Sequence, residues 1–570
     1  MKVLNKIKFA ALVFVLAFSM NACDLDETMK TGVTASDFYS TNIGFEDLTI
    51  AMYEPFRYYY GDERSGFIMT SKGTDIYQYG GGARPFWADY FGITPTVQSM
   101  TARGPFNIWM EFYRGINLAN SVIDRADDVE GLNENQKRIW VAEAHFLRAH
   151  YYHILVQTWG NIHLTLEETQ GVETTVNYAR AEEVWPHVIS DLEFAAANLP
   201  PVQAELGRAT SGAAKHLLAR VHLITENWQG AADLAEQVIN DYDYRLEESV
   251  LDLWNPCQYR QGRVSPETIF AYTKNQDSRV GGSIHKSREY SSRTRGQAGI
   301  RASFSIGTEV GRHRPTPFLI TEVFGNTREH AVNQWNDERW QLFKDVWYFN
   351  DERALPPGVA MGDTAIYFPV TPEFQEMTVE ERDAAAAAIN PGARILRIQD
   401  YTDELFISLA YKFRLCDPEG ATIPHDGLPI QPEVGATNPE WFGRTMNIFR
   451  LAETYLIAAE AMWRLGRDVE AADYFNVVRA RAQAPGEVIP LVQPGEIDVD
   501  VILDERAREL IGEYLRWYDL KRMGEEVFLR RIRDNNAPAA PNVQAHHMLR
   551  PIPQEQIDRT TNEFPQNPGY

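Results

Sequence analysis

The chain has 570 residues, of which 44% are hydrophobic, so it can bury a sizeable core or form a repetitive body with insertions. Its 79 acidic residues outnumber its 55 basic residues, which gives a formal net charge of −24. This charge argues against nucleic acid or an anionic membrane surface as the main partner.

The first 22 residues resemble a lipoprotein signal peptide. Three lysines precede an apolar run at residues 9–18, which is too short to cross a bilayer. Small residues then lead to Cys23, where we predict cleavage and lipidation. Acidic residues after Cys23 resemble the export tags of surface lipoproteins, although in other bacteria an Asp at this position can mean retention at the inner membrane. We expect residues 23–44 to form a lipidated tether.

Two further cysteines, Cys257 and Cys416, remain after Cys23 is assigned to lipid. One disulfide and two buried thiols both fit them, because two residues do not define a framework. No Cys/His spacing resembles a zinc site.

Apolar residues recurring every three or four positions predict amphipathic helices along much of the chain. The first, at residues 45–60, contains Pro55, which predicts a break. Further helices are predicted at residues 106–126, 134–158, 181–198, 210–226, 229–241, 448–465 and 468–482.

Two of the predicted helix hairpins resemble each other. Shifting the chain by 240 residues aligns Ala219 with Ala459 and Val238 with Val478. Small residues at matched positions of helix–turn–helix units are typical of tetratricopeptide repeats, whose pairs must stack to bury their apolar faces. We therefore predict a mainly α fold, in which about four such pairs form a right-handed superhelical scaffold.

Residues 244–444 interrupt this scaffold. They are rich in Gly, Pro, Ser and Arg, and the short apolar runs at 268–272 and 365–370 predict strands. Residues 373–389 predict a surface helix. We expect this region to be a large, irregular, ligand-facing insertion containing short strands.

The stretch at residues 503–524 reads LDERARELIGEYLRWYDLKRMG. Its apolar spacing predicts one amphipathic helix. Arg506 with Glu509, and Glu513 with Arg516, are three residues apart, which predicts two ion pairs on the helix surface.

Several motifs resemble the SusD/RagB family, the surface nutrient-binding lipoproteins of Bacteroidetes. The pattern E-R-x-x-E-L-x-x-E-x-x-R-W-x-D-L-x-R runs from Glu505 to Arg522, and W-x-x-x-Y-R-x-I-x-x-A-N runs from Trp109 to Asn120. The closing words PIPQEQID and QNPGY are also similar to the family. Family members often have Gly-His where this chain has Tyr-Leu at 514–515.

The resemblance implies an N-terminal helical part at residues 45–243 and a C-terminal helical part with a closing segment at 445–570. It also implies a non-catalytic protein, without a cofactor, that is lipid-anchored in the cell outer membrane and exposed at the surface. Such a protein captures oligosaccharide or polysaccharide and delivers it to a SusC-like TonB-dependent transporter.

The resemblance implies that aromatic side chains on loops bind the ligand. A sugar ring stacks on Trp or Tyr, and its hydroxyls need planar polar partners. Local packing is the alternative for each aromatic residue, and the helical spacing of Trp340, Phe343 and Trp347 favours the core. The residues expected to bind the ligand are Tyr77, Tyr79, Arg84, Trp87, Tyr290 and Trp335.

Two polar clusters allow other interpretations. His150 and His153 have a spacing that suits metal ligands, but core or surface histidines explain it as well, and we expect no metal site. Between residues 274 and 314, nine basic residues outnumber three acidic ones. This stretch fits a solvated loop, a docking surface for a partner, or a site for an anionic glycan, because arginine matches carboxylate and sulfate groups.

No catalytic motif supports an enzyme: G-x-S-x-G, a P-loop, a Rossmann glycine pattern and H-E-x-x-H are all missing from the sequence. Carboxylates are nevertheless abundant enough for a glycosidase pair. Three alternatives to glycan capture therefore stay open: peptide capture by the same architecture, a glycoside-cleaving enzyme of the cell envelope, and a structural adaptor.

Overall fold

A computed structural model describes residues 35–61, 66–81, 105–255, 258, 263–273, 289–294, 296–300, 311–325, 332–413 and 445–570. The predicted signal peptide and the residues Cys23, Cys257 and Cys416 lie outside these ranges.

Short helices open the described chain: Ala35–Tyr39 (α1), Asn42–Ala51 (α2) and Gly66–Ser71 (α3). Thr41 caps α2 by accepting a hydrogen bond from the backbone of Gly44. The break predicted around Pro55 is confirmed, because α2 ends before it and a π-helical turn follows at Arg57–Gly61.

The remaining α-helices form most of the scaffold. In chain order they are Pro105–Arg125 (α4), Glu134–Trp159 (α5), Ala181–Asn198 (α6), Ser211–Ile224 (α7), Trp228–Asn240 (α8), Val250–Leu253 (α9), Pro372–Glu376 (α10), Val379–Ile389 (α11), Leu451–Arg464 (α12), Asp468–Arg481 (α13), Val499–Leu510 (α14), Arg516–Arg522 (α15), Glu525–Asn535 (α16) and Gln554–Arg559 (α17). None of these helices, in the part of the chain described, is long and apolar enough to cross a membrane.

The predicted mainly α scaffold and its internal repeat are confirmed. The helices α4 to α8 pack in series, α8 packs against α12, and α12 packs against α13. The four matched residues Ala219, Ala459, Val238 and Val478 are all buried. Small side chains let neighbouring helices approach closely, so two hairpins far apart in sequence form one continuous stack.

The strands are short. They are Tyr77–Tyr79 (β1), Ile162–His163 (β2), Tyr178–Ala179 (β3), Thr268–Tyr272 (β4), His313–Pro315 (β5), Val346–Tyr348 (β6), Thr364–Tyr367 (β7), Arg394–Ile395 (β8) and Met446–Arg450 (β9). Strand pairs β1–β5, β2–β3, β4–β9 and β6–β7 are antiparallel, and β7–β8 is parallel. Because β4 pairs with β9, the insertion is joined to the C-terminal part of the chain; the predicted domain boundaries stay a prediction.

The helices predicted at 448–465 and 373–389 differ from the observed ones for reasons that the structure shows. Helix α12 begins at Leu451 instead of residue 448, because residues 446–450 pair with β4. The helix predicted at 373–389 is two helices, since Thr378 starts α11. Its hydroxyl accepts from the backbone of Glu381 at 3.2 Å, and the Glu381 carboxylate accepts from the backbone of Thr378 at 2.8 Å.

The helix predicted at 503–524 is also two helices. α14 ends at Leu510, the backbone turns through Gly512 (φ +75°) and Tyr514 (φ +66°), and α15 begins at Arg516. A left-handed backbone is costly for tyrosine, because its Cβ atom crowds the neighbouring carbonyl oxygen. The Tyr514 hydroxyl donates to the backbone oxygen of Tyr60 at 2.9 Å, and this contact offsets part of the cost.

The charged side chains of α14 from Asp504 to Glu509 are buried, and most of them pair with other segments. The Glu509 carboxylate accepts from Arg450 at 2.5 Å and from Arg339 at 3.0 Å. Arg506 pairs with Asp519 at 2.8 Å. The predicted surface pair between Arg506 and Glu509 is therefore wrong, because the rest of the protein covers both residues and supplies nearer partners.

The second predicted surface pair, between Glu513 and Arg516, is wrong for the same reason and because helix α14 ends at Leu510, before both residues. The Glu513 carboxylate accepts from Arg450 at 2.7 Å and from Lys412 at 2.6 Å. Arg516 donates to Asp75 at 2.7 Å. These ion pairs connect the signature stretch to the N-terminal segment and to the insertion.

The buried carboxylates predict a loss of stability in acid. Burial alone would raise the pKa of Glu505, Glu509 and Glu513, but the adjacent cationic side chains outweigh it and hold each pKa below 4.5. Because these pKa values are lower in the folded state, the stabilisation is present above about pH 4.5 and is lost as the pH falls. We expect a lower urea midpoint at about pH 4 than at about pH 6.

The Glu509→Gln variant is the matched comparison for this pH dependence. It lacks one titrating carboxylate, so its free energy of unfolding should change less between the same two pH values. An equal or larger change in the variant would show that Glu509 does not contribute to the acid sensitivity.

Candidate functional site

The antiparallel ribbon β1–β5 positions Tyr79, one of the predicted ligand-binding residues. Tyr79 lies opposite His313 at the ribbon end. A Cβ atom on the next residue, Gly80, would lie 2.0 Å from the backbone oxygen of Gly311. Only glycine permits this crossing, so the chain leaves the ribbon at a defined point.

The predicted residues Arg84 and Trp87 belong to residues 82–104, which follow this ribbon end and lie outside the described ranges. Residues 301–310, also outside them, lead into the opposite strand. The segment that carries Arg84 and Trp87 therefore follows directly after the ribbon end in the chain.

Two ion pairs with exposed carboxylates lie beside the ribbon end. Arg293 donates to Glu404 at 2.7 Å, and Arg314 pairs with Asp403 at 3.2 Å. A Cβ atom on Gly81 would lie 3.1 Å from the backbone oxygen of Asp403. The acidic residues Asp403 and Glu404 therefore lie next to the point where the chain leaves the ribbon. Guanidinium donors and carboxylate acceptors together suit the hydroxyl groups of a ligand. We name this surface the ribbon rim, formed by Gly80, Gly81, Arg293, Arg314, Asp403 and Glu404.

The described arginines of the basic stretch are paired with acidic residues. Besides Arg293 and Arg314, Arg312 contacts the buried carboxylate of Glu289. Asp403 lies 89 residues after Arg314 and Glu404 lies 111 residues after Arg293, and no sequence pattern linked these carboxylates to the stretch. The other basic residues of the stretch, Lys274, Arg279, Lys286, Arg288, Arg295 and Arg301, lie outside the described ranges.

The predicted residues Tyr77 and Tyr290 are both fully buried. Their ring centroids are 5.2 Å apart, and the rings of His313 and Phe413 stack on Tyr290 at 4.5 and 5.1 Å. Burial raises the pKa of both tyrosines, so both stay neutral. In this arrangement neither ring presents a face to a ligand, and the pair supports the ribbon from inside.

Tyr79 is more accessible, but only slightly, with 8% of its surface exposed. The Lys72 ammonium lies 4.7 Å from the centre of its ring. A cation at this distance occupies one ring face.

Trp335 is 54% exposed, more than any other tryptophan in the described ranges. The Asn333 side chain accepts hydrogen bonds from the backbones of Trp335 and Asn336, both at 3.0 Å. The Asn336 side chain accepts in return from the backbone of Asn333 at 2.8 Å, and Ala484 donates to the Asn336 backbone oxygen at 2.9 Å. The turn is thus fixed before any ligand arrives, and it presents a broad apolar ring to solvent.

The alternatives for the remaining aromatic and histidine residues are resolved. Trp340, Phe343 and Trp347 are buried, as their spacing predicted. His150 and His153 are core histidines that bond to a tyrosine hydroxyl at 2.9 Å and a glutamine side chain at 2.8 Å. Within the ranges that the structure describes, no group of three or more His, Cys, Asp or Glu side chains could hold a metal ion.

Comparison with known families gives two matches. Residues 435–570 match the model of the SusD family, and residues 86–223 match a family described as starch-binding associating with outer membrane. The two ranges include the signature stretch, the closing segment and the first helices of the repeat scaffold.

Similar proteins extend over most of the chain. SusD-like protein P25 of Formosa agariphila is 24% identical, over 98% of this chain and 97% of its own. Starch-binding protein SusD of Bacteroides thetaiotaomicron is 24% identical, over 78% of this chain and 75% of its own.

The solved structure of surface glycan-binding protein A from Bacteroides thetaiotaomicron, in complex with laminarihexaose, has the same fold. It is 19% identical, covers 92% of this chain and 99% of its own, and superposes with a TM-score of 0.64. The family matches, the relatives along the chain and this common fold agree with the motifs at both ends, so the chain resembles the SusD/RagB family over most of its length.

Proposed function

We propose that this protein binds oligosaccharide or polysaccharide at the cell surface and delivers it to a SusC-like TonB-dependent transporter. The starch-binding and laminarihexaose-bound relatives support a carbohydrate ligand, and the family description supports association with the outer membrane. In this proposal Cys23 carries the lipid anchor. The protein acts by binding alone, without a covalent step or a cofactor.

Trp335 carries the proposal for the ligand site. Its exposed indole, on a turn fixed by reciprocal hydrogen bonds, suits stacking against the C–H face of a sugar ring. Tyr79, Arg84 and Trp87 would contribute at or beyond the ribbon end, and the rim carboxylates would accept hydrogen bonds from sugar hydroxyls. Tyr77 and Tyr290 would hold the ribbon in place from beneath.

The test is calorimetric titration of a soluble protein that starts just after Cys23, against starch, laminarin, uronic and sulfated polysaccharides, and peptides. Once a ligand is found, we expect Trp335→Ala to weaken its binding about tenfold, because the stacking platform is lost. The control is Phe194→Ala on α6, which removes another exposed aromatic ring (38% exposed) and should leave the affinity unchanged.

The same titration separates the alternatives. Unchanged glycan affinity in Trp335→Ala would remove Trp335 from the site, and binding of peptides alone would change the ligand class. Release of reducing ends by the purified protein would establish an enzyme. Isolation with the transporter, but with no soluble ligand from the panel, would favour an adaptor.

A further inference from the structure

A cleft whose lining shares no residue with the ribbon rim or with the Trp335 turn opens on the scaffold. Its volume is about 330 Å³. Three segments form its walls: the end of α2 with the turn that follows, the turn at 205–208 before α7, and the end of β4. None of the six ligand-binding residues expected from the sequence lies in these three segments.

Aromatic rings form much of the cleft surface. Phe56 and Phe270 lie in the protein interior, with ring centroids 6.0 Å apart. Tyr53 and Tyr272 are partly exposed beside them. Ring faces and edges of this kind suit the apolar C–H face of a sugar.

Charged side chains stand around these rings. The Glu54 and Glu205 side chains are 39% and 71% exposed, whereas that of Arg208 is 12% exposed. Carboxylates accept hydrogen bonds and guanidinium groups donate them, so the cleft offers both kinds of partner to hydroxyl groups.

Hydrogen bonds hold these side chains in position. The Tyr53 hydroxyl donates to the buried Glu143 carboxylate at 2.5 Å and accepts from the Ala209 backbone at 3.1 Å. Arg208 donates to the same carboxylate at 3.0 Å and to Glu205 at 3.1 Å. The polar wall is therefore built before a ligand binds, which lowers the entropic cost of binding.

Gly207 brings two of the walls together. Its φ of +91° favours glycine, and a Cβ atom there would lie 3.1 Å from the side chain of Thr273. A larger residue would push the 205–208 turn away from the end of β4. The narrow side of the cleft thus depends on this one position.

We propose that this cleft is a second carbohydrate-binding site, which takes one or two units of a neutral sugar; the inference rests on the proposed function in glycan binding. The volume is near the lower end for small-molecule sites, which excludes a long chain as its full occupant. Glu54 already pairs with Arg114, and both Glu143 and Glu205 pair with Arg208. These charges are neutralised within the protein, so the cleft favours a neutral ligand over a charged one.

The experiment counts binding sites by equilibrium dialysis with maltose, cellobiose and laminaribiose. We expect two sites per chain in the wild type, one in Tyr272→Ala, one in Trp335→Ala, and none in the double variant. Tyr272→Ala should weaken binding at the cleft about tenfold, whereas Tyr272→Phe keeps the ring and most of the binding. The polysaccharide affinity at Trp335 should be unchanged in both Tyr272 variants.

Glu54→Gln provides a second variant on a partly exposed side chain, for the case in which Tyr272→Ala does not fold. It should weaken binding at the cleft about threefold, because a charged acceptor becomes a neutral one.

Three outcomes overturn the proposal. One site per chain, lost in Trp335→Ala and retained in Tyr272→Ala and Glu54→Gln, would remove the second site and leave the proposed function intact. A steep fall in cleft affinity with added NaCl would identify an ionic ligand in place of a neutral sugar. Failure of every disaccharide and polysaccharide to bind the wild type would overturn the proposed function as well.

Discussion

Replacing Glu509 by glutamine should lower the free energy of unfolding by about 3–5 kcal/mol. Its carboxylate is buried and contacts the guanidinium groups of Arg339, Arg450 and Arg481. Each of these groups lost its hydration on folding, and a neutral amide can neither balance the charge nor accept from all three. Urea unfolding monitored by circular dichroism measures the loss.

The matched control is Glu487→Gln, which makes the same substitution at an exposed carboxylate. Its unfolding free energy should stay within about 0.5 kcal/mol of the wild type. A loss below about 1 kcal/mol for Glu509→Gln would mean that water or a rearranged side chain replaces the carboxylate at little cost.

Trp517→Ala should cost about 3–5 kcal/mol of stability and leave ligand affinity unchanged in the protein that still folds. The indole is 1% exposed and packs against Tyr518, Phe528 and the guanidinium of Arg550. Removing it leaves a cavity that the surrounding helices can fill only in part. Urea unfolding and calorimetric titration of the same preparation measure the two quantities.

Trp335→Ala makes the same substitution as Trp517→Ala, but we expect it to affect ligand binding and not stability. Its indole is exposed, so stability should fall by less than about 1 kcal/mol while glycan binding weakens. Weaker binding in folded Trp517→Ala would imply that the signature stretch shapes the ligand site. A large loss of stability in Trp335→Ala would assign that side chain to packing.

The helices with regular apolar spacing could be predicted from the sequence, and α6 was predicted with its observed ends. The reason is local: in such segments the periodicity and the capping residues act over one or two turns. The internal repeat could also be predicted from the sequence, because matched small residues such as Ala219 and Ala459 are needed where neighbouring helices pack closely.

Long-range partners could not be predicted in the same way. The charges of α14 and of Arg516 suggested a solvated surface, since nothing local indicates that Arg339 would reach Glu505 or that Asp75 would reach Arg516. The turn at Tyr514 could not be predicted from the sequence, because its left-handed backbone is stabilised by a contact with Tyr60, more than four hundred residues earlier. For the same reason, burial of Tyr77 and Tyr290 depends on rings from several segments.

The ion pair between Asp75 and Arg516 has a consequence for biogenesis. The two residues are 441 positions apart, and Arg531 also donates to Asp75 at 2.9 Å. Until Arg516 and Arg531 have been synthesised, Asp75 has neither of these counter-charges, so the N-terminal core cannot close around its carboxylate without a large cost. We therefore expect a truncated form that lacks its C-terminus to be more sensitive to proteases at its N-terminal end than the full chain.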